Sequence, residues 1–151
     1  IELCALLNKE LDYFAATASK QGLSLALDAA LKDVFIWADE GRIKQLIHNL
    51  LTNALKYTQA PGTVKIALSC SSTAAELLIE DSAPGVRSAD INKLFDPLFR
   101  VESSRNRNTG GTGLGLGICK QIVLGHGGQI NAESSPLGGL RLTILLPLAK
   151  S

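Results

Sequence analysis

The chain has 151 residues, the size of one ordinary domain, and 46% hydrophobic against 19% charged residues supplies a core and excludes a disordered segment. A net charge of +1 offers no field for nucleic acid or an anionic membrane surface, and no run reaches the ~20 apolar residues of a membrane span. The three cysteines, Cys4, Cys70 and Cys119, form no CxxC pair and leave one over, which points to reduced thiols rather than a disulfide frame or zinc site.

Each cysteine sits among apolar neighbours and reads as a small core residue. With no signal peptide and no methionine, initiator included, the sequence reads as a piece of a longer protein. Residues 4–20 predict an amphipathic helix, because Leu6, Leu7, Leu11, Phe14, Ala15 and Ala18 recur at helical spacing before Gln21-Gly22. LSLALDA, 23–29, alternates like a half-buried strand, and VFIW, 34–37, predicts a short second strand with Trp37 as a packing residue. Asp39 is placed to cap a helix over about 40–57.

A turn at Pro61-Gly62 leads to two paired strands, 63–70 and 75–81. DSAPG, 81–85, breaks the pattern, and 88–94 predicts a short helix before LFDPLFR. From Val101 to Thr112 the chain is almost free of apolar residues, as in functional lids or disordered loops. A helix over 114–125, a GHGG turn, a strand over 128–133 and a last strand over 140–148 complete the pattern. Such an order predicts a two-layer α/β sandwich, a largely antiparallel sheet with three helices over one face.

The helix over 40–57 carries an oddity. Ile43, Leu46, Ile47, Leu50, Leu51, Ala54 and Leu55 form its apolar face, and Arg42, Gln45, Asn49, Asn53 and Lys56 form a polar stripe beside it. Asparagine is a poor helix former, so two of them one turn apart violate local preference in the way functional sites do. An amide oxygen is a hard neutral ligand suited to Mg²⁺, and a lysine one turn on can meet phosphate charge. The alternative is a solvated face.

GGTGLGLG, 110–117, opens a helix, where exposed backbone N–H groups and the helix terminus favour an anion. It is neither a P-loop nor a dinucleotide fingerprint, since the Lys-Ser/Thr and the third glycine are missing. A structural glycine hinge is the alternative. DSAPG sets Asp81 at a strand end, either as a turn cap or as a carboxylate that accepts a hydrogen bond from a base's exocyclic amine.

In this order, HNLLTNALKYT, DSAPG, LFDPLFR, GGTGLGLG and the closing GG-x-x-x-x-x-x-LP resemble the N box, first glycine box, F box, second glycine box and last strand of the ATP-binding catalytic domain of sensor histidine kinases, within the gyrase, Hsp90, histidine kinase and MutL superfamily. The wording around DSAPGV and SRNR is nearest to BaeS-type envelope-stress sensors. The resemblance covers essentially the whole chain, 1–151, and implies a Bergerat-type fold with a mixed sheet and a flexible ATP lid over about 100–112. It implies ATP and Mg²⁺ as ligand and cofactor. Asn53 would ligate the metal, Asn49 assist toward metal or phosphate, Lys56 contact phosphate and Tyr57 pack on the adenine. Asp81 would take the adenine amine beside Gly85. Gly111, Thr112, Gly113, Leu114 and Gly115 would cradle the phosphates, and Arg100, Arg105 and Arg107 would reach the γ-phosphate. Phe95 and Phe99 would anchor the lid. One departure is Ala83, where the first glycine box usually has glycine; its methyl leaves the Asp81 contact intact.

Hydrolytic members of the superfamily place a glutamate one turn before the metal asparagine, as general base. Here that position is Asn49, and neither Glu40 nor Glu80 is placed to substitute. The resemblance therefore implies phosphoryl transfer by positioning and charge neutralisation, rather than a dedicated ATPase or a degenerate nucleotide-binding module. The acceptor would be a histidine on a separate dimerisation domain of the same kinase, with a response regulator downstream. HNLLTN only faintly mimics an acceptor box, since Asn49 is not acidic and Asn53 is not proline, so His48 reads as a helix-surface residue and His126 as a turn residue. The resemblance places the domain in the cytoplasm of an inner-membrane parent, without membrane contact of its own.

Overall fold

The computed structural model describes residues 1–28, 33–82, 91, 94–95 and 113–149. Helix α1 (Leu3–Lys20) opens the fold; Glu2 caps it by accepting the N–H groups of Cys4 at 2.7 Å and Ala5 at 3.3 Å. Its buried residues, among them Leu7, Leu11, Phe14 and Ala18, keep the helical spacing, while Ala15 is exposed. Strand β1 (Leu23–Asp28) follows, then α2 (Glu40–Tyr57), whose bounds match the sequence expectation. Asp39 caps α2 as its residue type predicts, Oδ1 accepting from Arg42 N at 3.2 Å.

The remaining elements are β2 (Gly62–Cys70), β3 (Ala74–Ser82), α3 (Gly113–Gly125), β4 (Gln129–Ser134) and β5 (Gly138–Pro147). They form one five-stranded sheet in the order β1-β2-β3-β5-β4. All neighbours pair antiparallel except β1 and β2, which run parallel because α2 forms the crossover between them. The result is the mixed, largely antiparallel sheet of a two-layer α/β sandwich. Strand alternation sends Val64, Ile66, Leu68, Leu77, Ile79, Leu142, Ile144 and Leu146 into a single core with the apolar faces of the helices.

Three sequence expectations are corrected. Residues 34–37 form no strand of the sheet. Phe35 makes an isolated antiparallel bridge to Glu2 and Ile36 one to Leu148, so the segment stitches the two ends of the chain together. Trp37 is not a packing residue; it is 90% exposed, because only Val34 and Ile36 of this extended stretch face inward. Cys4 and Cys119 are buried, but Cys70, at the end of β2, is exposed. The short helix expected over 88–94 falls largely outside the described residues.

Candidate functional site

The apolar face of α2 is at most 6% exposed at each of its seven residues, which fixes the helix's rotation. Asn49 and Asn53, one turn apart, are thereby held half-buried at its edge, with Arg42 and Lys56 exposed on the same stripe. Lys56 Nζ lies 6.0 Å from the centroid of the Tyr57 ring, at cation–π range. The Tyr57 hydroxyl is buried and has no hydrogen-bond partner among the described residues. Leaving such a group unmatched costs about 1–3 kcal/mol.

Helices α2 and α3 pack antiparallel, and two contacts give their register. Asp39 N donates to His126 Nε2 at 3.2 Å, and Cys119 Sγ approaches Leu46 O at 3.9 Å. Seven residues forward on α2 thus correspond to seven residues back on α3. The same register continued by half a step sets Asn49 level with Leu116, and by a whole step carries Asn53 to the start of α3. Gly113, Leu114 and Gly115 make up that first turn. Continued along both helices, that register carries the asparagine motif toward the glycine motif sixty residues later in sequence, at a helix terminus that favours an anion.

Asp81 sits on β3 with Leu77 and Ile79, on the helix-facing side of the sheet, and is half-buried. Opposite it the pairing slips. Glu80 pairs with Arg141 and Ser82 with Gly138, so Gly139 and Leu140 both face Asp81 in a β-bulge. The bulge turns the Leu140 N–H onto Asp81 Oδ1, at 2.9 Å. Gly139 is required there: a Cβ would overlap Asp81 Oδ1 and the carbonyl oxygens of Asp81 and Ser82. Burial pushes the Asp81 carboxyl up to about 6, the Leu140 N–H opposes that, and the neighbouring Glu80 charge adds to it.

Glu80 points to the other face of the sheet. Its Oε2 accepts from Ser135 Oγ at 2.9 Å and Arg141 Nε at 3.0 Å, and Arg141 Nη1 also lies 3.6 Å from Glu133 Oε1. This carboxylate is committed to the sheet and turned away from α2. His48 is exposed against the rings of Tyr13 and Phe14, a helix-surface residue as expected. Phe95 packs partly buried against the core, with Lys120 Nζ 5.7 Å from its ring centroid.

The structure thus describes Asn49, Asn53, Lys56, Tyr57 and Asp81, and the helical backbone of Gly113, Leu114 and Gly115. Gly85, Phe99, Arg100, Arg105, Arg107, Gly111, Thr112 and the proposed lid over about 100–112 lie outside the described residues. Sequence reasoning missed the Gly139–Leu140 bulge and the His126–Asp39 contact. Both act through backbone groups; their only traces were the paired glycines 138–139 and the GHGG turn.

Five strands in this mixed order under three helices are the fold of histidine kinase catalytic domains, the Bergerat-type α/β sandwich. The nucleotide-free catalytic domain of histidine kinase ThkA superposes with a TM-score of 0.86 at 28% identity, covering 97% of this chain and 93% of that one. Full-length ShkA in complex with AMPPNP gives 0.83 at 25% identity, covering 100% of this chain and 31% of that one. ThkA in complex with response regulator protein TrrA gives 0.83 at 26%, covering 99% and 41%. The chain belongs to the family of histidine kinase-, DNA gyrase B- and HSP90-like ATPases, whose model matches residues 38–150. Among curated relatives, the signal transduction histidine-protein kinase BaeS of Escherichia coli (strain K12) is 40% identical over 151 residues, 99% of this chain and 32% of its own length. The chain spans about a third of the curated relatives it matches most fully.

Proposed function

We propose that this domain binds Mg–ATP and donates the γ-phosphate to a histidine on a separate dimerisation domain of the same kinase, with a response regulator downstream. The observation that carries the reading is the half-buried Asn53 with Asn49, rather than a carboxylate, one turn before it on α2. An amide cannot take a proton from water, and Glu80 is bound to Ser135 and Arg141 on the far face of the sheet. An amide at position 49 and a Glu80 committed elsewhere favour phosphoryl transfer by positioning over hydrolysis.

The residues suit the ligand. The half-buried amide oxygen of Asn53 is a hard, neutral donor for Mg²⁺, with Asn49 assisting. Bound Mg²⁺ would neutralise charge between the phosphates. Lys56 adds a cation on the phosphate side, and Tyr57 offers a ring beside the base, with a hydroxyl that has no partner among the described residues. Asp81, one oxygen held by Leu140, takes the adenine amine. Gly85 lies beside the base, Gly111, Thr112, Gly113, Leu114 and Gly115 cradle the phosphates, and Arg100, Arg105 and Arg107 of the lid meet the γ-phosphate. No helix among the described residues is long and apolar enough to cross a membrane; by likeness to its relatives the domain is the cytoplasmic part of an inner-membrane sensor. The test offers labelled ATP together with a panel of histidine-bearing dimerisation domains. Acid-labile, base-stable label on the acceptor supports the reading, and fast multiple turnover to ADP without an acceptor overturns it.

A further inference from the structure

We propose that His126 is a positioning residue for the nucleotide site, pinning α2 to α3 at the end remote from the nucleotide and so setting where Asn53 stands relative to the start of α3. The inference rests on the reading of Asn53 and the α3 N-terminus as the metal and phosphate halves of that site.

Helix ends leave carbonyls and N–H groups without intrahelical partners. His126 serves one of each. Its main-chain N–H bonds Val123 O at 3.1 Å, which leaves Ile122 O to be met by the ring Nδ1 at 2.8 Å. Its Nε2 accepts from Asp39 N, the N-cap of α2, at 3.2 Å. Accepting at Nε2 requires the neutral ring with its proton on Nδ1, so a single tautomer satisfies both contacts.

The ring is in turn anchored to the sheet. Gly127, at φ +75°, closes the end of α3. Gly128 N donates to Val123 O at 2.9 Å, and a Cβ on Gly128 would overlap Leu145 O of β5. The pin thus ties α2 to a turn held closely against β5.

Asp39 and Asn53 are fourteen residues apart, about 21 Å along the helix at 1.5 Å per residue. A helix slides as a rod, so any slip at Asp39 reaches Asn53 at full size. A misplacement of about 1 Å at a coordinating group is enough to weaken binding. Midway, the contact of Cys119 Sγ with Leu46 O, at 3.9 Å, is a weak hydrogen bond that adds little to the hold at Asp39.

The test compares wild type, His126→Gln and His126→Leu. Glutamine carries an acceptor to roughly the place of Nε2; leucine fills the space without one. Mg-dependent and Mg-free affinities for ATP are measured beside thermal midpoints, and ¹⁵N NMR of the wild type reads the ring tautomer and the coupling across the Asp39 N–H···Nε2 bond. We expect His126→Leu to weaken Mg–ATP binding about three- to tenfold, the worth of one such hydrogen bond, and His126→Gln to restore it to about twofold of wild type. Unchanged affinity in His126→Leu, equal losses in both variants, or a wild-type ring without the Nδ1–H tautomer and the coupling overturns the proposal. Should His126→Leu fail to fold, the wild-type tautomer and coupling and the His126→Gln affinity decide it. Wild-type protein that binds no Mg–ATP overturns the site reading, and this inference with it.

Discussion

Gly139 stands so close to Asp81 that a Cβ would occupy the place of Oδ1, the oxygen that accepts the Leu140 N–H at 2.9 Å. Gly139→Ala must push either the carboxylate or the β5 backbone aside. We expect a loss of about 1–3 kcal/mol in urea unfolding, typical of overpacking, together with weaker ATP binding. Wild-type stability and affinity in this variant would contradict the tight approach.

The Asp81 carboxyl gives a pH signature. It titrates at about 6 in the folded chain against an ordinary 3.8, chiefly because it is buried. Below the ordinary value both folded and unfolded chains are protonated, and the group contributes nothing. Between there and about 6 the folded chain keeps its proton while the unfolded chain releases it, so stability falls as pH rises, and above about 6 the penalty is complete. Urea unfolding of wild type and Asp81→Asn from pH 4 to 7 should show the wild type losing ground to the variant as pH rises. A constant gap would refute the assignment.

Asn53→Ala should abolish the Mg-dependent part of nucleotide affinity while the fold persists. Alanine is the better helix former by a few tenths of a kcal/mol, so thermal stability should hold or rise slightly. Titration of a fluorescent ATP analogue with and without Mg²⁺ decides it; unchanged Mg dependence removes Asn53 from the metal.

Glu80 is predicted to matter for stability and not for chemistry. Glu80→Ala deprives the buried Ser135 hydroxyl of its acceptor and should cost about 1–3 kcal/mol. Glu80→Gln should leave the slow ATP hydrolysis of the isolated domain unchanged. A marked fall in turnover with Glu80→Gln would make this carboxylate the missing base.

The helices were legible because periodicity and caps are local. Asp39 and the seven apolar residues of α2 fix both its bounds and the side on which Asn49 and Asn53 emerge. The parallel pairing of β1 with β2 was not legible, because alternation says which face a strand buries and not which neighbour it chooses. VFIW misled for a related reason: four apolar residues in a row do not reveal that Phe35 and Trp37 face outward while the segment bridges Glu2 and Leu148. At the site, side-chain chemistry was visible in the asparagines and Asp81. What holds Asp81 is a backbone N–H in a bulge, which leaves hardly a mark on residue types.

That bulge also ties ligand binding to completion of the chain. The asparagines proposed for the metal lie on α2, inside the β1–α2–β2 unit that ends at Cys70, whereas the oxygen of Asp81 is set by Leu140 on the last strand of the chain, which sits between β3 and β4. A fragment stopping short of β5 would keep its asparagines yet present an unaligned acceptor to the base. Adenine affinity is therefore a gauge of docking by the final strand, and a split protein supplying residues 138–149 in trans should recover it as the two pieces reassemble.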